Sequence, residues 1–173
     1  TDGFYDTTPQ SHAIGAAIWP MTVPWLCCHI WEHFEYTQDK AFLGKYFSIF
    51  EEALAFYEDY LFEYRGHLVT GPSVSPENKY RTQEGVEGNL CLSPTIDNQI
   101  LRFFLSCLVN AARTLEKSDE LIRRSMAIYE RLPKTKIGRH GQIQEWLEDY
   151  EEVEPGHRHI SPLFGLHPAN EIS

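Results

Sequence analysis

The sequence predicts an all-α chain built of antiparallel helix hairpins. Apolar residues recur at three- and four-residue steps through four long segments. Short breaks with capping or turn residues separate the segments of each pair, and one long loop separates the pairs. A very apolar segment alternates with a more amphipathic one, as in a two-layer ring whose inner helices are covered on both sides. Four such helices would form roughly a third of a twelve-helix ring.

The first hairpin is predicted from residue 24 to residue 64. Pro24 suits the first turn of a helix over 24–37, and apolar residues cover nearly every side of it, so we expect a buried helix. Asp39 is the predicted N-cap of a second helix over 41–64. Gly66 ends that helix, and 67–70 follows as a short strand or an extended link.

A long loop and a third helix come next. Glycine and proline punctuate residues 71–94, so this stretch is predicted to be a loop. A loop of this length inside a compact chain is more often functional than a spacer. Thr95 is the predicted N-cap of a very apolar helix over 96–116.

The last third of the chain is predicted to hold shorter elements. Ser118 is the expected N-cap of a fourth helix over 119–131. A short acidic helix is predicted over 142–151, around Trp146. Residues 157–168 combine histidine, arginine and apolar residues, and we expect them to be extended or irregular.

Composition excludes several classes of protein. Fifteen Lys and Arg against 25 Asp and Glu give a net charge of −10, which argues against a nucleic-acid or acidic-membrane partner. No apolar run approaches the ~18 residues of a membrane-spanning helix. The four cysteines have no CxxC spacing and are predicted to be buried apolar residues: Cys27, Cys28, Cys91 and Cys107.

The long loop contains the first candidate for catalysis. Glu77 follows Pro76 in a segment rich in glycine and proline, between two apolar helices. A carboxyl group in such a place can act as a general acid when desolvation or a neighbouring charge raises its pKa. The alternative is an ordinary surface glutamate.

A second candidate is the run His157, Arg158 and His159. Alternation in an extended segment would place the two histidines on one side and Arg158 on the other. Arginine and histidine on the floor of a pocket suit the binding of hydroxyl groups or of a developing anion. The alternative is an exposed basic cluster that pairs electrostatically with the acidic run 148–154.

Residues 29–33 match the H-x-x-E-H pattern of inverted zinc proteases. His29 and His33 would share one helix face and bind zinc, while Glu32 would activate water. The site would need a third ligand from another helix, and the downstream candidates Glu116 and Glu120 lie near predicted helix ends. A five-residue match also occurs often by chance, so ordinary packing or sugar contact is the competing interpretation.

Several separated motifs occur along nearly the whole chain: IWPM at 18–21, WLC at 25–27, HIWEHFEYTQD at 29–39, LVT at 68–70, SVSPEN at 73–78, TIDNQI at 95–100, IGRHGQIQEW at 137–146 and HRHIS at 157–161. In this order they resemble the helical catalytic domain of the α-L-fucosidases of glycoside hydrolase family 95. The resemblance accounts for residues 29–33 without a metal.

The resemblance implies a fold, an activity and a set of site residues. The fold is an (α/α)6 barrel, and the activity is inverting hydrolysis of terminal α-1,2-linked L-fucose on a glycan. Glu77 corresponds to the general acid, and Arg158 and His159 correspond to substrate-binding residues. Trp31 and Glu32 fall where the family places sugar contacts. No cofactor or metal is implied, and the expected partner is a fucosylated oligosaccharide.

The groups that activate water in this family do not match any segment of the chain. The family uses an asparagine in an Asn-x-Asn segment, expected upstream of Thr1, and an aspartate in a Gln-Ile-Asp-Gly-Asn motif, expected downstream of Ser173. Residues 1–173 are therefore expected to be the central part of a catalytic domain, without its flanking helices and β-sandwich domains. A non-catalytic carbohydrate-binding module is the main alternative, and the zinc hydrolase is a second one.

Overall fold

The computed structural model describes residues 18–172, and four α-helices form the main packing unit of this part. They are α1 (Thr22–Thr37), α2 (Lys40–Tyr60), α3 (Thr95–Thr114) and α4 (Asp119–Arg131). Helix α3 lies at the centre, because it packs against the three other helices and against a 3₁₀-helix, Ser161–Gly165. Several of the remaining segments bond to the N-terminal end of α3, through Thr95 and Asp97.

The hydrophobic core lies between α1, α2 and α3. Fourteen of the 20 residues of α3 are buried, so this helix has little exposed surface left. The ring of Phe104 on α3 lies 6.1 Å from that of Phe50 and 6.3 Å from that of Tyr57, both on α2. These rings bury a large apolar area and lock the two helices together.

Two of the three predicted helix caps are confirmed. Asp39 Oδ1 accepts a hydrogen bond from the Phe42 amide at 2.9 Å, and Ser118 caps α4 through the Leu121 amide. Thr95 is not a cap, since it is the first residue of α3 and Pro94 precedes it. Its hydroxyl group instead donates to the carbonyl oxygen of Gln144 at 2.5 Å.

The prediction of an all-α fold, and with it the partial (α/α)6 barrel, is wrong for the described residues. They contain three small antiparallel sheets, with strand orders β1–β2, β3–β6 and β5–β4–β7. The strands are β1 (Phe62–Tyr64), β2 (His67–Val69), β3 (Ser73–Val74), β4 (Tyr80–Arg81), β5 (Glu87–Gly88), β6 (Leu90–Cys91) and β7 (Glu151–Glu152). Strands of two or three residues are too short to show an alternating pattern, and β4 and β7 pair across 70 residues of sequence.

The second helix is shorter than predicted because a hairpin begins right after it. Arg65 and Gly66, at φ 49° and 83°, form the two-residue turn between β1 and β2. The residues predicted as the last turn of the helix therefore pair as strand β1.

The helix predicted over 142–151 is absent. Its first part bonds to distant backbone instead: the Gln144 amide donates to Lys136 O and the Glu145 carbonyl oxygen accepts from the Thr95 amide, both at 2.9 Å. Trp146 is buried, as are Gln144 and Glu145. Tertiary contacts thus outweigh the local helical preference of this acidic segment.

Helix α1 is also less buried than predicted. Leu26 is 55% exposed and Tyr36 is 85% exposed, because the described residues cover α1 mainly through α2 and α3. Cys27, Cys28 and Cys107 are buried as expected, whereas Cys91 is partly exposed. Over residues 18–172, no helix has the length and apolar character needed to span a membrane.

Candidate functional site

Glu77 and Arg158 form an ion pair that joins two loops. An Nη2 hydrogen of Arg158 bonds to Glu77 Oε2 at an N···O distance of 2.5 Å. Glu77 follows strand β3, and Arg158 precedes the 3₁₀-helix, so the fold brings together residues 81 positions apart. The side chains are 45% and 68% exposed, respectively. Both are therefore accessible to a ligand.

A cavity of about 520 Å³ lies beside this pair. His159 and Pro76 line it, each directly next in sequence to a member of the pair, and Trp19 and Trp25 form an aromatic wall. The Trp19 and Trp25 rings meet edge to face at 5.7 Å. A carboxylate and a guanidinium thus stand close to a largely apolar, aromatic pocket that is open to solvent.

The two histidines lie on the same side of their segment, as alternation predicts. The ring centroids of His157 and His159 are 5.2 Å apart, and the His159 amide donates to His157 Nδ1 at 3.1 Å. The ion pair of Arg158 is made with Glu77, so this arginine connects to the candidate acid instead of the acidic run 148–154.

Below the pair, a buried polar network connects the two loops. Glu145 Oε1 accepts a hydrogen bond from Ser75 Oγ at 2.7 Å, and its Oε2 accepts one from Asn78 Nδ2 at 3.1 Å. Ser75 Oγ also lies 2.8 Å from Ser161 Oγ. Burial raises the pKa of Glu145, and the hydrogen bonds from Ser75 and Asn78 oppose that rise.

A second buried carboxyl group supports the aromatic wall. Asp97, at the start of α3, accepts hydrogen bonds from Thr70 Oγ1 at 2.7 Å and from Trp19 Nε1 at 3.2 Å. Asp97 is fully buried, and this burial raises its pKa to about 7 despite these hydrogen bonds. The indole of Trp19 is thereby fixed at the edge of the cavity.

Trp31 and Glu32 do not line this cavity. Trp31 packs on Phe34, with ring centroids 5.2 Å apart, and Glu32 is exposed. At ~1.5 Å per residue, Trp31 lies roughly 9 Å further along α1 than Trp25. Their role as sugar contacts therefore stays a prediction.

The part of the chain that the structure describes contains no complete set of zinc ligands. No three His, Cys, Asp or Glu side chains converge there in a way that could hold a metal ion. The ring of His33 instead packs on that of Phe42 at 4.0 Å.

The sequence interpretation missed the two buried carboxyl groups. Asp97 and Glu145 lie in the motifs TIDNQI and GQIQEW, which carried the family resemblance but were given no role. The sequence did contain a signal for them, since each is an acidic residue inside a segment that must be largely buried. A carboxyl group buried in such a segment needs specific hydrogen-bond partners. Which partners they find depends on contacts distant in sequence.

A carboxylate and an arginine next to residues that line a pocket walled by tryptophans are typical of proteins that bind or cleave sugars. Comparison with known proteins agrees with this class. The family model described as the glycosyl hydrolase family 95 catalytic domain matches residues 1–173. The chain belongs to this family, which confirms the resemblance seen in its motifs.

Two curated relatives carry related names. The chain is 39% identical to Alpha-L-fucosidase 2 of Arabidopsis thaliana, over 100% of this chain and 21% of that protein. It is 30% identical to Probable alpha-fucosidase A of Aspergillus niger, over 91% of this chain and 20% of that protein. The chain thus spans about a fifth of the length of these relatives.

Proposed function

We propose that this chain supplies the general-acid half of an active site that hydrolyses terminal α-1,2-linked L-fucosyl groups with inversion. Glu77 is the acid, and Arg158 and His159 bind the substrate. The groups that activate water belong to a part of the catalytic domain outside these 173 residues. Family membership and the names of the two relatives support fucoside hydrolysis.

The observation that carries the proposal is the contact between Glu77 and Arg158, whose sequence neighbours Pro76 and His159 line the cavity. An inverting glycosidase needs a carboxyl group that protonates the leaving oxygen, with a water activated on the opposite face of the sugar. Glu77 is exposed beside a pocket large enough for a monosaccharide ring, and Arg158 and His159 are next to it. The acid and its binding groups therefore share one opening.

The ion pair implies an order of events when the sugar binds. Glu77 must carry a proton when the glycosidic bond breaks. An ion pair with the guanidinium group of Arg158 instead requires a carboxylate without that proton. We infer that sugar hydroxyls take over the N–H groups of Arg158, which frees Glu77 for the leaving oxygen. The tryptophan wall then packs on the apolar face of the sugar.

Two further residues complete the proposal. The family resemblance alone supports Trp31 and Glu32 as additional sugar contacts, because both lie on α1 outside the cavity that Trp25 lines.

The test is Glu77→Gln in the complete gene product, assayed with an α-1,2-fucosylated oligosaccharide. Loss of the acid should lower kcat by about 10²–10⁴-fold, while the Kd for the oligosaccharide changes little. Glu84→Gln is the matched control, because Glu84 is an exposed carboxylate of the same loop. Undiminished turnover in Glu77→Gln would reject Glu77 as the acid.

The stereochemistry is tested separately on the wild-type protein. Proton NMR during the first minutes should show β-L-fucose as the first product, before mutarotation. First release of the α-anomer would contradict inversion. A wild-type protein that binds the glycan and never cleaves it would instead favour the carbohydrate-binding alternative.

A further inference from the structure

Glu145 contacts both loops of the site, one directly and one through a serine. Its carboxylate accepts from Ser75 and Asn78, which flank Glu77 at −2 and +1. Ser75 in turn contacts Ser161, which follows Arg158 by three residues. A single side chain therefore connects the segment that carries the candidate acid with the segment that carries the candidate binding groups.

The backbone around Glu145 is itself fixed to the central helix. The Thr95 amide donates to the Glu145 carbonyl oxygen at 2.9 Å, and the Thr95 hydroxyl donates to Gln144 O at 2.5 Å. The side-chain amide of Gln144 donates to the carbonyl oxygen of Trp146, two residues later, at 2.8 Å. The carboxylate thus extends from a segment attached to the first residue of α3, which is the most buried helix in the described part of the chain.

Packing alone does not account for a carboxyl group at this position. Glu145 is 8% exposed, and no ion pair with it is seen among the described residues. Burying a carboxylate without a cation destabilises the folded state. An apolar side chain of similar size would fill the same space without that desolvation penalty. The titratable neighbours of Glu145 are Glu152 on β7, which raises its pKa, and His157, which lowers it.

We propose that Glu145 is a positioning residue, which sets the placement of Glu77 relative to Arg158 and His159 through Ser75, Asn78 and Ser161. The inference rests on the proposed function of Glu77 and Arg158. Glu145 does not touch the substrate. It acts by holding two loops in the one arrangement that puts the acid and the binding groups at the same opening.

The hydrogen-bond chain indicates which substitution preserves this role. Ionised Glu145 accepts from Ser75, so Ser75 must accept from Ser161. Glutamine can still accept from Asn78 through its oxygen and can donate to Ser75 through its amide, and Ser75 then donates to Ser161. Glu145→Gln therefore keeps both loops connected, whereas Glu145→Ala disconnects them.

The experiment measures kcat and KM of the complete gene product on a fucosylated oligosaccharide, per mole of folded protein. Displacement of a catalytic group by about 1 Å costs on the order of 100-fold in rate, so we expect kcat/KM of Glu145→Ala to fall about 100-fold, with kcat lowered and KM raised. Glu145→Gln should recover to within about tenfold of wild type. Glu154→Ala, an exposed glutamate close by in sequence, should match wild type.

Hydrogen exchange gives a readout that does not need activity. In Glu145→Ala, peptides covering residues 73–80 and 157–161 should both exchange about tenfold faster, as expected for the loss of buried hydrogen bonds, and Glu145→Gln should restore both. A purely structural role would lower the melting temperature of Glu145→Ala and leave kcat/KM of the folded fraction unchanged.

Each outcome decides one of the two proposals. If wild-type protein releases no fucose, the proposed function fails, and the paired change in exchange still tests the connection through Glu145. If wild type is active and Glu145→Ala retains kcat/KM, the positioning role is wrong. An exchange change confined to one of the two peptides also contradicts it.

Discussion

The helical region and the site region of this chain are held together by different interactions. Between α1, α2 and α3 the contacts are apolar, with aromatic rings such as Phe50 and Phe104 about 6 Å apart in the core. Beneath the loops that carry Glu77 and Arg158, many contacts are hydrogen bonds among buried polar side chains, such as Ser75 with Glu145 and Thr70 with Asp97. Apolar packing responds in a graded way to changes of volume. A buried hydrogen-bond network responds sharply to the loss of one atom.

The difference explains how the site can be both accessible and well placed. Glu77 and Arg158 lie on loops and are exposed, so their own pair adds little stability. Their positions are set one layer below, by the buried polar residues that attach both loops to the start of α3. The helices supply a rigid base, and the polar network transfers that rigidity to the loops.

The largest expected loss of stability comes from a substitution in the core of the helical region. Phe104→Ala removes a fully buried ring at the junction of α2 and α3, and should lower the free energy of unfolding by about 3–5 kcal/mol. Urea unfolding followed by circular dichroism measures this change. Phe104→Leu, which keeps much of the volume, should cost clearly less, and equal losses for the two variants would contradict a packing role.

A second effect is a pH dependence of the free energy of unfolding, which comes from Asp97 at the boundary between the two regions. The folded-state pKa of Asp97, about 7, lies above its ordinary value of 3.8. Between roughly pH 4 and pH 7 the folded protein retains a proton that the unfolded chain has released. The stability from this group is therefore fully present below about pH 4 and is lost as pH rises towards 7, with a slope of at most about 1.4 kcal/mol per pH unit.

Asp97→Asn should remove this slope from the free energy of unfolding. The amide can donate to Thr70 and accept from Trp19, so it reproduces the protonated carboxyl group. Urea unfolding at several pH values between 4.5 and 7 compares the variant with wild type. The exposed Asp59→Asn is the control and should keep the wild-type slope, and an unchanged slope in Asp97→Asn would show that Asp97 is ionised throughout.

The smallest effect is expected on the helical surface. Arg124 on α4 forms a bidentate ion pair with Glu58 on α2, and its guanidinium is partly exposed. Arg124→Ala should change the free energy of unfolding by no more than about 1 kcal/mol, and less in high salt. A loss comparable to that of Phe104→Ala would mean that electrostatic contacts also hold the helices together.

Local features of the fold were predictable, and non-local pairings were not. The caps Asp39 and Ser118 are confirmed because a cap depends on a side chain and an amide three residues apart. The sheets were missed because strands such as Tyr80–Arg81 and Glu151–Glu152 are short and meet only in the folded chain. Trp146 was placed on a helix for the same reason, since local composition does not show the bonds that its segment makes to Thr95.

The sequence by itself determined the family, the approximate positions of the four long helices and the candidate residues Glu77, Arg158 and His159, because motifs, caps and apolar periodicity are local properties of the chain. Only the tertiary structure decided that Glu77 meets Arg158 beside the cavity and that Glu145 and Asp97 are buried beneath it. The physical reason is that a hydrogen bond between loops depends on where the intervening helices place them, and no local pattern encodes that distance.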